Sequence, residues 1–278
     1  IEMAQGRCWG STERCVAMLE CFRDLILSSY VASPDQAIAR HMDAFLRPQI
    51  TYLVAARPLS VSMSHAIRHL KMVISQLPPD MTEDDAKQLV CRSIDTFLRN
   101  RIELAGRLIV ESALTKFSDN TAETILTFGR SSLVTRLLEA AALSSKKFRV
   151  IVAADCSYSA DDGANDLVRM LSKLDIQCTI VPLASIGFVL REATKVIIGA
   201  QCIFSNGSLL GKVGTAVVGL LAHQHNKPVM VLAETLKFTE RVQLDAFVFN
   251  ELADPQPMAD ACKRYRAGVD VKAVSLIY

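Results

Sequence analysis

The hydrophobic period of this chain changes once, and that change limits the folds open to it. From residue 11 to about 117, apolar side chains recur three or four positions apart, as in Val16, Leu19, Phe22 and Ile26 of "STERCVAMLECFRDLILSSY". After Phe117 the apolar residues gather into short runs rich in Val and Ile: "ETILTFG", "FRVIVAAD", "QCTIVPL", "TKVIIGA" and "KPVMVLAE". Helical stretches at Ser131–Ala142 and Gly163–Leu174 separate these runs. Buried parallel strands joined by crossover helices have this pattern. The reading is an α/β chain with a helical domain over 1–117 and a doubly wound parallel-sheet domain over 118–278, divided near "SDNT".

Local signals refine the helices. Ser11 is expected to cap the first one, and Ser33-Pro34 to open a second in the favoured order of cap and N1 proline. "RPLSVSMSHAIRHLKMVISQL" follows and is stopped by Pro78-Pro79. Thr82-Glu83-Asp84-Asp85 then opens a long segment reaching about Phe117, with acids where the helix dipole favours them.

Half of the 278 residues are hydrophobic and 22% are charged, which suits a globular chain with a real core. The net charge is only +2, and the densest basic run is Lys263-Arg264-Tyr265-Arg266, too short for a nucleic-acid stripe. Nucleic acid is not expected as a partner. Nor is a membrane, since no apolar run approaches 18 residues. The eight cysteines form no C-x-x-C pair and mostly sit in apolar runs. A reducing, cytoplasmic setting is expected, without a secretory signal. The chain opens on Ile1, which reads as part of a longer polypeptide.

Three places carry candidate chemistry. "SNGSLLGKVGT" (205–215) is a glycine-punctuated turn with Lys212 and three hydroxyls, able to hold an anion on its amides or to serve as a tight connection. "TFGRSSLV" is the first βα turn, where Gly129 permits a sharp bend and Ser131 or Ser132 can cap a helix. Asp155 ends the next strand, loosely where dinucleotide folds keep a ribose-binding carboxylate. One glycine stands where that fingerprint wants three, so a nucleotide-dependent oxidoreductase is disfavoured. Arg57-Pro58 places a cation at a helix start, which would favour a bound anion; the plainer reading is a surface arginine. His65 and His69 share a helix face without a third metal ligand, and His223 and His225 do not converge from a helix. No metal and no cofactor are expected.

The stretch 199–252, "GAQCIFSNGSLLGKVGTAVVGLLAHQHNKPVMVLAETLKFTERVQLDAFVFNEL", resembles the signature region of the alpha, beta and delta regulatory subunits of translation initiation factor 2B. "RCVAML" (14–19), "ARPLSVSMSHAIRHLK" (56–71) and "LTFGRSSLV" (126–134) extend the likeness over nearly the whole chain. The resemblance implies a helical domain followed by a Rossmann-like domain. It implies a regulatory and assembly role in the guanine nucleotide exchange factor for initiation factor 2. Its expected partners are the alpha, beta, gamma and epsilon subunits and initiation factor 2, whose alpha subunit's phosphorylation it would sense.

Sugar-phosphate isomerases, including methylthioribose-1-phosphate isomerase, share that superfamily. They carry a cysteine in "H-C-N-x-G" and an aspartate in "N-G-D" to relay protons. By resemblance, Gly129 occupies the cysteine position and Ser208 the aspartate position, so neither group that gives and takes a proton is expected. Arg57 and Lys212 match phosphate-side cations. The expectation is a non-catalytic remnant pocket for an anion such as a sugar phosphate, framed by Arg57, Gly129, Ser131, Asn206, Ser208 and Lys212 around one cleft. The apolar surplus of a helix expected over about Ser208–His225, and of 236–252 with Phe238, Val242, Leu244, Phe247, Val248 and Phe249, is divided between sheet packing and an obligate interface.

Overall fold

A computed structural model describes residues 10–33, 35–119, 121–154, 163–244, 251–253 and 276–277. Two compact units emerge. One comprises Ile1–Arg107 with Glu234–Thr239, the other Leu108–Ala233 with Glu240–Tyr278.

In the helical unit, α1 (Ser11–Ser29) turns Cys15, Met18, Leu19, Phe22 and Ile26 inward. α3 (Val61–Ser75) buries Met63, Ala66, Ile67, Leu70 and Ile74, and α4 (Glu83–Phe97) buries Ala86, Val90, Cys91, Ile94 and Phe97. The three-and-four spacing thus converges on one core, to which α2 (Ile38–Ala56) adds Ile38, Met42 and Leu46.

Two helix starts differ from the sequence expectation. Gly10, not Ser11, holds the N-cap of α1, because Ser11 is buried in the first turn and its carbonyl accepts a bond from the Ser62 hydroxyl at 3.1 Å. α2 begins at Ile38 after Ala37 rather than at Ser33, whose carbonyl instead closes a turn with the Gln36 amide; Pro34 lies outside the described residues. Thr82 caps α4 as expected, accepting from the Asp85 amide at 3.3 Å. The long segment after it is not uniform. A π turn, Leu98–Leu104, separates α4 from α5 (Ala105–Leu114).

Residues 234–239 belong to the same unit despite their position late in the chain. Leu236 joins the helical core. Thr12 Oγ1 donates to Glu234 Oε1 at 3.0 Å, and Lys237 Nζ lies 2.8 Å from Glu234 Oε2. Both charged residues are almost completely buried, at 2% and 5% exposure. Burial, with the Glu234 charge added, pushes the Cys15 thiol up to about 12, so that sulfur is a core atom and not a nucleophile.

In the other unit, β1 (Glu123–Phe128), β2 (Phe148–Ala154), β3 (Cys178–Pro182), β4 (Lys195–Gly199) and β7 (Val229–Leu232) form a parallel sheet in the order β3-β2-β1-β4-β7. Alternation along the strands builds two layers. Ile125, Val150, Val152 and Ile197 face α6 (Ser132–Leu143) and α7 (Ala164–Ser172). Leu126, Ile151, Val196 and Ile198 face α8 (Ile186–Val189) and α9 (Thr215–Gln224). The expected burial on both faces holds for the three inner strands. The outer two, at the ends of the strand order, leave Ile180, Val229 and Val231 exposed. The change of period falls after Phe117, whereas the compact units divide at Arg107. The cause is that Val110, Ala113 and Phe117 already pack into the α/β core.

Candidate functional site at the strand-order reversal

The sheet grows outward from β1 in one direction through β2 and β3, then resumes on the other side with β4. Open sheets of this kind bind ligands beyond the carboxyl ends of the strands at that reversal. Two turns meet there.

The first follows β1. Gly129 adopts φ 59°, a left-handed conformation that side chains resist, and its amide bonds to the Ala153 carbonyl at 3.0 Å. A Cβ at this position would lie 4.0 Å from Cδ of Lys212, so the stem of that lysine runs over the glycine. Ser131 holds the N-cap of α6 but makes no side-chain cap bond. Its hydroxyl is pressed instead against Gly199 at the end of β4, where an added Cβ would come within 2.3 Å of it. The first amides of α6 are thereby left without a side-chain cap, in the orientation that favours an anion. Arg130 is drawn off to the side, its stem packed over Gly163 and its guanidinium 3.8 Å from Asp166.

The second turn is the hairpin of β5 (Cys202–Ile203) and β6 (Leu209–Leu210) with the loop into α9. Asn206 Oδ1 accepts from the Ser208 amide at 3.1 Å, and its Nδ2 donates to the Gln243 carbonyl at 3.4 Å. The Ser205 amide and hydroxyl both donate to the Arg241 carbonyl, at 3.2 and 3.3 Å, and the hydroxyl also reaches Glu240. These polar groups therefore hold the returning segment 240–243. Lys212 contributes its carbonyl to Thr215 and sends its side chain back over Gly129. Gly214, at φ 99°, starts α9 with Phe128 and Leu183 packed too close for any side chain.

The geometry brings Gly129, Ser131 and Lys212 together at the reversal. Asn206 and Ser208 sit at the hairpin tip. Arg57 belongs to the helical unit, in extended backbone after α2; the following helix starts only at Val61, capped by Ser60. The carbonyl of Pro58 accepts a bond from Arg14. Cys202 is buried, and burial raises its thiol pKa. Asp155 and Cys156 lie outside the described residues. Among the described residues no cluster of three or more His, Cys, Asp or Glu could hold a metal. Nor is any helix there long and apolar enough to cross a membrane. Sequence reasoning missed the buried Glu234–Lys237 pair, whose only outward sign is two charges three apart flanking Leu236.

A model of the Initiation factor 2 subunit family matches residues 7–278. The chain belongs to that family. It is 38% identical over 253 residues to the translation initiation factor eIF2B subunit delta of Schizosaccharomyces pombe, covering 91% of this chain and 53% of that one. Identity to the eIF2B subunit delta of Dictyostelium discoideum is 34% over 258 residues, 93% of this chain and 40% of the relative. The chain thus spans about half the length of the first relative and less of the second. Among solved structures, it matches the tetrameric eIF2B-beta2-delta2 complex of C. thermophilum with TM-score 0.84 at 33% identity, over 92% of this chain and 80% of that one. The eIF2B delta of Chaetomium thermophilum follows at 0.78 and 32%, covering 86% of each. These likenesses agree with the helical region and parallel sheet described above.

Proposed function

We propose that this chain is a non-catalytic regulatory and assembly subunit of the guanine nucleotide exchange factor for translation initiation factor 2, sensing phosphorylation of that factor's alpha subunit. The observation that carries the reading is Gly129. It stands at the reversal point, and resemblance puts it at the isomerases' cysteine position, where a glycine offers no titrating side chain. Resemblance puts Ser208 at the second catalytic position, and a lone hydroxyl is too weak an acid without an activating base. Losing acid and base together removes ~10²–10⁴-fold for each. The delta-subunit names of the relatives support the same reading.

In this reading the helical unit and the α/β unit work in the cytoplasm with the other subunits of the exchange factor. Gly129, Ser131, Asn206, Ser208 and Lys212 form a residual pocket that takes an anion, such as a sugar phosphate, without turning it over. Exposed Val217, Leu220, Val229 and Val231 favour an assembly role, since apolar surface of this kind marks an interface.

The test has two arms. The purified chain is assayed against ribose and methylthioribose phosphates, and it is co-expressed with a beta-type subunit. No turnover, with stable co-purification, is the expected pair of results. Robust isomerisation, or a dilution-insensitive monomer that ignores the beta-type subunit, overturns the proposal.

A further inference from the structure

Asn206-Gly207 is the only Asn-Gly pair in the sequence, and the hairpin of β5 and β6 carries it at its exposed tip. The Phe204 amide donates to the Ser208 carbonyl at 2.9 Å and closes the loop. Inside it the Gly207 amide turns back to the Phe204 carbonyl at 3.0 Å. Gly207 takes φ 81°, the left-handed state that commonly ends a three-residue hairpin loop. A Cβ built there would meet nothing within 4 Å beyond its chain neighbours, so the backbone nitrogen is not crowded. The Asn206 carboxamide is held at both ends. Its Oδ1 accepts from the Ser208 amide at 3.1 Å, and its Nδ2 donates to the Gln243 carbonyl at 3.4 Å.

We propose that Asn206 is a self-modification site: the chain deamidates there, and the conversion frees the segment 240–243 from the hairpin. Asparagine is among the thermally labile side chains. In the reaction the Gly207 nitrogen leaves the Phe204 carbonyl, gives up its proton and attacks Cγ of Asn206. Oδ1 takes the developing negative charge, and the Ser208 amide already donates to that oxygen. The Cγ–Nδ2 bond then breaks, and ammonia departs with the proton lost by Gly207. Water opens the resulting succinimide at either carbonyl, leaving aspartate or isoaspartate. Water is consumed and ammonia released, with no electron transferred. Every other asparagine of the chain is followed by a residue with a side chain, which crowds the attacking nitrogen. The new carboxylate only accepts, so the donor to Gln243 is lost and two oxygens face each other. The isoaspartate form also adds a carbon to the main chain of the turn, which pulls Ser205 out of register with its Arg241 acceptor. The step needs no ligand, so it is independent of any anion held by the turn.

The test incubates the purified full chain in mildly alkaline buffer and follows each asparagine-containing peptide by mass, with isoaspartate read by enzymatic methyl transfer. Asn206 is expected to gain the mass of an amide-to-acid exchange several-fold faster than any other asparagine, with isoaspartate appearing at the same position. Asn206→Gln, whose longer side chain does not close the ring readily, is expected to abolish both signals. The converted chain carries an added negative charge, is separated by ion exchange, and is compared with fresh chain by hydrogen exchange. The Ser205 amide, held on the Arg241 carbonyl before conversion, is expected to exchange several-fold faster afterwards, with α6 unchanged. Three results each overturn the proposal: other asparagines converting ahead of Asn206, Asn206 staying intact while a free peptide of residues 202–210 converts, or a Ser205 amide equally protected after conversion.

Discussion

Both units leave apolar side chains exposed, among them Val31 and Tyr52 in the helical unit, but the helical unit also buries charge. There Arg14, Glu234 and Lys237 are all at most 5% exposed, amid a core built from four helices. In the α/β unit, the inner strands are closed on both faces, yet Phe188, Leu220, Val229 and Val231 face solvent. Buried ions demand partners of fixed geometry within the chain. Exposed aliphatic side chains demand a partner that the chain does not contain. The difference teaches that the helical unit carries an internal constraint, the buried ions, which its exposed apolar residues do not replace, while the proposed assembly role draws on exposed apolar side chains of the α/β unit.

The contrast breaks first at the buried pair. Lys237→Met leaves the Glu234 carboxylate without its cation and is expected to cost about 3–5 kcal/mol in a denaturant melt. Glu234→Leu combined with Lys237→Met is expected to recover most of that loss, since both ions leave together. A single-variant cost below about 1 kcal/mol would show that the pair is not needed. A smaller effect is expected at the reversal point. Gly199→Ala drives a methyl into Ser131 and is expected to cost about 1–3 kcal/mol by the same melt, part of it returned by Ser131→Gly. The smallest effect on the chain itself is expected at Leu220, which is 69% exposed. Leu220→Glu is expected to change stability by less than about 0.5 kcal/mol while reducing co-purification with a beta-type subunit. If association is untouched, that helix face is not part of the interface.

The five strands of the parallel sheet were legible almost residue by residue, because uninterrupted Val and Ile runs of this length fit few other structures, whereas the helix expected from about Ser208 begins only at Thr215, Leu209–Leu210 being a strand of the hairpin. Thr82 was legible as a cap because its acidic followers repeat the signal. Ser11 misled: its position beside a charged turn suited a cap, but a tertiary bond from Ser62 drew it into the helix. The π turn left no readable mark, since Leu98–Leu104 keeps an ordinary helical composition. At the candidate site, Gly129 and Lys212 were readable and do meet. Ser205 and Asn206 looked free to face an anion, yet they bond to the backbone of 240–243, a pairing that only the tertiary fold creates.

The late strap has a consequence for synthesis. The helical unit begins at the start of the chain, but Thr12 and the core around Leu236 wait for residues 234–239. At ordinary translation speeds that delay is on the order of ten seconds after Arg107 has been made. Throughout it, the slot for Glu234 and Leu236 stands open on the nascent chain. The unit that starts folding first therefore cannot finish until most of the second has been made, and a ribosome stalled before residue 234 would carry an unfinished helical bundle.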